Sequence, residues 1–156
     1  MAKLKVRRYK KEDNPMVWQL HRLGLAEIGI KPTKNSPWEK DLYDIENVYL
    51  KDGDFLVGEY EGKVVAMGAF KKNSDEISET KRMRVHPDYQ RHGFGTAIIQ
   101  ELEKRAKKLG FKKMILNTSE KWIKAQSFYT KNGYQETGRE VFDKKYHAIF
   151  YEKELE

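Results

Sequence analysis

The sequence predicts an α/β (mixed α+β) fold: one domain, residues 1–156, on a central mixed, largely antiparallel sheet of about seven strands flanked by about four helices. Three observations predict it. Strand-like and helix-like segments follow one another as strand, helix, helix, three strands, helix, strand, helix, two strands. A glycine-rich stretch joins a strand to an amphipathic helix. A right-handed crossover through that helix makes the strands starting at Ile77 and Lys113 parallel neighbours. Finally, 156 residues bury a core without a disulfide or metal staple.

In chain order, Leu4 to Tyr9 alternates as a short strand. Glu12-Asp13-Asn14-Pro15 supplies helix-start chemistry for Met16 to Ile28, and Gly29 stops that helix. Lys31 to Asn35 is a polar loop that either rims a substrate site or simply connects. Ser36 and Pro37 then read as N-cap and first residue of a second helix through Trp38, Leu42 and Ile45. Phe55 to Tyr60 and Lys63 to Phe70 flank Glu61-Gly62, a two-residue hairpin loop with glycine where positive φ is wanted. The second of these strands is apolar on both faces, hence central. In the next, strict alternation places Ile77, Glu79, Lys81, Met83 and Val85 on one side. Ile98, Ile99, Leu102, Ala106 and Leu109 recur at helical spacing from Gly95 onward, and Gly110 ends that helix. Lys113 to Thr118 is a buried strand, Glu120 to Lys131 a helix closed by Asn132-Gly133, and Tyr134 to Phe142 and Tyr146 to Lys153 are the last strands.

Composition narrows the chemistry. With no cysteine, the chain holds no disulfide, no thiol nucleophile and no thiolate metal site, which fits a reducing cytoplasm. No apolar run approaches the ~20 residues of a membrane span, and the start MAKLKVRRYKKED lacks the apolar core of a secretory signal. The expectation is a soluble, cytoplasmic protein without a membrane partner. The net charge of +7, from 31 Lys and Arg against 24 Asp and Glu, favours anions on a surface of mixed sign. The densest basic patch, Glu103 to Lys113, falls mostly where a helix faces water. No aromatic and basic residues interleave in a nucleic-acid motif, so nucleic acid is not an expected partner. The histidines, His21, His86, His92 and His147, have no compact ligand spacing, and no metal is expected.

The stretch Glu79 to Gly95, ETKRMRVHPDYQRHGFG, runs from a strand through a proline-marked turn into a glycine-rich loop that opens a helix. Amides at a helix N-terminus have no intrahelical partners, and glycine lets phosphates approach them. Phosphate binding is the first functional inference. A dinucleotide fingerprint would need glycine or alanine where Ile98 stands, and no Gly-Lys-Ser/Thr of a P-loop exists.

The loop Gln90-Arg91-His92-Gly93-Phe94-Gly95 resembles the cofactor loop of the GNAT superfamily of N-acetyltransferases, whose pattern is Gln or Arg, two residues, Gly, one residue, Gly or Ala. Val85-His86-Pro87 before it, and Phe128-Tyr129 and Gly133-Tyr134 after it, also match, and the element order agrees over nearly the whole chain. The resemblance implies acetyl-CoA as co-substrate, its pyrophosphate cupped by amides from Arg91 to Thr96, with Gln90, His92, Gly93 and Gly95 in the loop and the Thr96 hydroxyl at the first turn. It places the pantetheine arm in a splayed gap beside the backbone of Met83 and Val85, with Asn117 on the partner strand. Asn117 reads equally well as a turn initiator before Thr118-Ser119.

Acyl transfer to an amine needs a neutral nitrogen, and an alkylammonium has a pKa of ~10.4. The resemblance implies that Glu79 takes that proton, directly or through water, with burial against Ile77 and Met83 raising its pKa. The alternative is an exposed strand residue paired to Lys81 or Arg82. Tyr129 matches the family tyrosine that protonates the departing CoA thiolate, a task a phenol of pKa ~10 performs while staying protonated at neutral pH. The alternative is packing at a helix end. One departure stands out: Trp122 replaces the asparagine often found three residues before Ala125. The expected acceptor is an amine. Glu39, Asp41, Asp44 and Glu46 would suit a cationic one such as a polyamine, an aminoglycoside or lysine, or else form a solvated face. Homodimers are common among relatives, though no residue here marks an interface. A non-catalytic CoA sensor or a basic nucleic-acid-binding module is the alternative of another class.

Overall fold

A computed structural model describes residues 3–31 and 36–156, so the polar loop expected at 31–35 lies, apart from its first residue, outside the described residues. The chain forms β1 (Lys5–Arg8), α1 (Asn14–Glu27), a 3-10 segment (Pro37–Tyr43), α2 (Ile45–Val48), β2 (Asp54–Tyr60), β3 (Lys63–Lys72), β4 (Ile77–Val85), α3 (Phe94–Lys108), β5 (Lys113–Ser119), α4 (Ile123–Lys131), β6 (Gln135–Phe142) and β7 (Tyr146–Glu154). The sheet order is β1-β2-β3-β4-β5-β7-β6. Among the described residues only β4 and β5 pair in parallel, as the crossover through α3 requires.

Local chemistry sets the boundaries. Pro15 occupies the first turn of α1. Glu61 and Gly62, at φ 51° and 81°, make the positive-φ turn between β2 and β3. Ser36 caps as expected, its hydroxyl accepting from the Trp38 amide at 3.3 Å. The second helix, however, is not continuous: Asp44 leaves the helical region at φ −148°, so the 3-10 segment ends and α2 begins afresh as a single turn.

Two cores lie on the two faces of the sheet. On one, Ile98, Ile99, Leu102 and Ala106 of α3 pack with Leu56, Phe70, Met114, Leu116, Tyr129 and Ile149. On the other, Val17 and Leu20 of α1 join Leu42, Ile45 and Tyr49 over Phe55, Val57, Met67 and Ala69. Each fully buried leucine here is worth about 1.5–3 kcal/mol in transfer terms. No described residue of β5, β6 or β7 joins the α1-side core, so this core is confined to the β2–β3 half of the sheet.

The strict alternation expected along β4 breaks. Thr80 pairs with Phe70 and Lys81 with Ala69, but Arg84 and Val85 pair with Met67 and Ala66, so Arg82 and Met83 together oppose the single Gly68. Arg82 takes φ 59° to accommodate this bulge. Glu79 and Lys81 therefore face α1, whereas Met83 and Val85 pack on the α3 side and do not share a face with Glu79. A bulge adds one residue to a strand and re-aims the side chains beyond it.

Candidate active site

β4 and β5 are paired only at Ile77–Lys113, Ser78–Met114 and Glu79–Ile115. Beyond Glu79 the two strands part, β4 staying with β3 up to Val85 and β5 with β7 up to Ser119. The β5-facing edge of the bulged half of β4 thus has no strand partner, and main-chain groups of Met83 and Val85 border the gap. Gln90 fastens one side of it: its amide nitrogen donates to the Val85 carbonyl at 3.3 Å and to the Glu27 carboxylate at 2.9 Å. Gln90 is engaged with the protein itself, so its part in the loop is positional.

The loop after Gln90 is wound tightly. Arg91 at φ 66° and Gly93 at φ 79° lie in the left-handed region, and Gly93 is the N-cap of α3. A Cβ on Gly93 would meet nothing within 4 Å, so its backbone angle is what calls for glycine. Gly95 is different: a Cβ there would lie 3.1 Å from the Phe128 ring, so glycine lets α3 and α4 close on each other. His92 is exposed and folds back on its own loop, Nδ1 donating to the carbonyls of Tyr89 and Gln90 at 3.1 and 2.9 Å. The first amide to find a helical carbonyl is that of Ala97, bonded to Gly93 at 3.0 Å. Residues 91 to 96 donate no backbone bond outside the helix, and Thr96 adds a half-buried hydroxyl. A run of unspent amides at the positive end of a 15-residue helix fits a phosphate group.

Tyr129 of α4 is 7% exposed, and its hydroxyl makes no hydrogen bond to any described residue. Burial pushes it up to about 12, against the pull of the Arg84 guanidinium. Arg84 projects toward α1, where a Cβ on Gly24 would lie 2.5 Å from its Nε. Its guanidinium carbon sits 4.5 Å from the centroid of the Trp122 ring. Trp122 thus stacks on a cation where the family pattern expects an asparagine. Tyr146 of β7 lies close enough to Arg84 to feel its charge, and its hydroxyl donates to Asn117 Oδ1 at 3.5 Å. Asn117 therefore sits across the gap on β5.

Glu79 is the last residue paired to β5, and its carboxylate meets the Lys81 ammonium at 3.2 Å. Arg82 is bound more extensively. It donates to both oxygens of Asp41, at 2.9 and 2.6 Å, and to the Trp38 carbonyl. The Tyr49 hydroxyl reaches the same carboxylate at 2.5 Å. Burial alone would raise Asp41, but the Arg82 and Tyr49 bonds prevail and hold it below the usual carboxylate range. His21 completes the network, its Nε2 2.6 Å from Glu39 and its Nδ1 3.4 Å from Arg82. Burial, then Arg82, pull His21 down to about 4, so the ring is neutral, donating through Nε2 and accepting through Nδ1. Glu39 and Asp41 are therefore spent on internal partners, and Asp44 accepts from Asn47 at 2.9 Å. Glu39 and Asp41 thus leave no free charge for a cationic acceptor, while Asp44 and Glu46 are exposed, as on a solvated face.

An open pocket of about 440 Å³ between the end of α1, the 87–90 turn and the start of α4 is bordered by Glu27, Pro87, Gln90 and Trp122. A larger concavity of about 680 Å³, between α3 and the end of β7, is lined by charged side chains and lies away from the α3 N-terminus. Sequence reasoning missed Arg84, Tyr146 and the Arg82 network. Two arginines inside a strand flanked by central ones were the available signal, because a buried charge demands a partner.

The family model "Acetyltransferase (GNAT) family" matches residues 15–134. The chain is 28% identical over 120 residues to mouse (Mus musculus) N-acetyltransferase family 8 member 3, covering 67% of this chain and 53% of that protein. It thus spans about half the length of the first curated relatives it matches. Its fold superposes on a GNAT-family acetyltransferase from Staphylococcus aureus Mu50 with a TM-score of 0.87 at 22% identity, covering 99% of this chain and 100% of that one. A GNAT family acetyltransferase from Elizabethkingia anophelis, solved with acetyl-CoA bound, superposes with a TM-score of 0.72 at 17% identity, over 97% and 98% of the two chains. Because the family model covers more than half of the sequence, residues 15–134, the chain belongs to the GNAT acetyltransferase family.

Proposed function

We propose that the protein is an acetyl-CoA-dependent N-acetyltransferase that moves the acetyl group directly from the thioester to a primary amine in a ternary complex. One observation carries the reading: the amides at the start of α3 donate no backbone bond, and close by in the fold β4 and β5 stop pairing beyond Glu79. When bound, acetyl-CoA supplies an activated acyl group whose sulfur leaves as a thiolate. The amides of Arg91, His92, Gly93, Gly95 and Thr96 hold its phosphates, and Gln90 keeps their loop in place. Main-chain groups of Met83 and Val85 orient the pantetheine arm from one side of the gap and Asn117 from the other. Glu79, at the point where the strands part and on the α1-facing side, receives the amine's proton directly or through water. The Tyr129 hydroxyl, kept protonated at neutral pH by burial, gives its proton to the leaving sulfur. Cysteine is absent from the chain, which suits transfer without a thiol-bound acyl enzyme.

Calorimetric titration with acetyl-CoA, with ATP and NADH as controls for general anion attraction, tests the cofactor site. Selective micromolar binding is expected. Free thiol should then appear only when an acceptor amine is added, which separates an enzyme from a CoA-binding sensor. Equal affinity for all three anions would overturn the reading.

A further inference from the structure

Arg84 is the one arginine of the β4 bulge whose charge the protein leaves unanswered. Its Nε is buried without a hydrogen-bond partner, and Nη1 donates only to the Met83 carbonyl at 2.9 Å. Among the described residues no carboxylate forms an ion pair with it, and residues 32–35 contain no acid that could. Glu27, the one carboxylate near enough to feel its charge, is bonded to Gln90. Burial, then the neighbouring Arg82, pull Arg84 down to about 10, which still leaves it charged at neutral pH. A desolvated cation without a counter-anion is a standing cost. Here it projects against Gly24 of α1 from the half of β4 that β5 leaves unpaired, with its guanidinium on the Trp122 ring and near enough to Tyr129 and Tyr146 for its charge to act on both.

Resting on the acetyltransferase reading above, we propose that Arg84 is the carboxylate anchor of the acceptor site, so that the amine acetylated is that of a free amino acid. A guanidinium presents a planar fork that matches a carboxylate, and Trp122 behind it fixes the plane of that fork. In an α-amino acid the amine lies two bonds from the carboxylate carbon. Anchoring the acid on Arg84 therefore keeps the amine beside the same short segment of β4. A polyamine would meet a charge of its own sign at Arg84, since the carboxylates nearby are already bonded to Arg82, Tyr49 and His21.

The test compares, by thiol release from acetyl-CoA, the twenty amino acids as free acids, their α-carboxamides, and the amines putrescine and spermidine. At least one free acid should be acetylated with a kcat/KM about 10- to 100-fold above its carboxamide, the effect of one charge-assisted hydrogen-bonded pair. Arg84→Gln should raise the acceptor KM by the same factor and erase the preference. The KM for acetyl-CoA and kcat should change little, and Arg84→Lys should restore part of the preference. Carboxamides or polyamines used as well as the acids by the unaltered protein would overturn the proposal while leaving the acetyltransferase reading intact. So would acetyl-CoA binding with no amino acid acetylated, or a fall in kcat of equal size for every acceptor in Arg84→Gln. Failure to bind acetyl-CoA at all would overturn the reading on which the proposal rests.

Discussion

Arg82 and Arg84 lie two residues apart on β4, both turned toward α1, yet their surroundings are opposites. Arg82 is held by Asp41, the Trp38 carbonyl and His21, and so ties the 3-10 segment to the sheet. Arg84 has its own strand's carbonyl, an aromatic face and an open gap. Residue type and position are nearly identical, so what separates a structural cation from a ligand-directed one is whether the fold supplies its anion. That is a property of elements far away in sequence, 41 positions in the case of Asp41.

This contrast is breakable at several points. The largest effect should come from the satisfied side: Arg82→Ala leaves Asp41 buried without its partner and should cost about 3–5 kcal/mol in urea unfolding. Tyr129→Phe probes the unsatisfied side. It should lower kcat about 100-fold, the low end for a proton donor, with acetyl-CoA affinity and unfolding midpoint unchanged. Unchanged turnover would remove Tyr129 from the chemistry. His21 offers a pH readout of the satisfied side. The unfolded chain protonates it below about 6.5, whereas the folded ring stays neutral down to about 4. The unfolded state thus binds more protons in that window, and stability is complete above it and falls as pH drops through it. The slope from this one group reaches about 1.4 kcal/mol per pH unit, and His21→Gln should remove it from thermal melts recorded between pH 7 and 4.5. The smallest effect is expected for Trp122→Leu. It removes a cation–π contact worth about 0.5–1 kcal/mol, visible as a rise of a few-fold in acceptor KM with no change in kcat.

The order of elements, the parallel pair through α3 and the glycine loop were legible in the sequence because each rests on local signals: turn chemistry at Glu61-Gly62, helical spacing from Ile98 to Ala106, and glycine at the start and end of α3. The second helix misled because Ser36-Pro37 starts a helix but does not set its type, and nothing local announces the break at Asp44. Tyr129 and the loop residues were found through spacing shared with a family. Arg84 was not, since its meaning depends on the bulge, and the bulge arises from how β4 meets Gly68 of β3 rather than from any signal within ETKRMRV. The carboxylates from Glu39 to Glu46 looked alike as a cluster; only their separate tertiary partners distinguish Asp41 and Glu39 from Glu46.

The extra residue at Arg82 also divides β4 into two reading frames. Upstream, odd-numbered residues face α1; downstream, even-numbered ones do. Deleting Arg82 would close the bulge and leave regular alternation, with Lys81 and Arg84 still facing α1 and Met83 and Val85 still beneath α3, so only the tie to Asp41 would be lost; the same deletion in a strand without a bulge would reverse every side chain beyond it. The bulge therefore lets this strand lose one residue without reversing its faces, whereas an insertion beyond it has no such slack and should be the more damaging change.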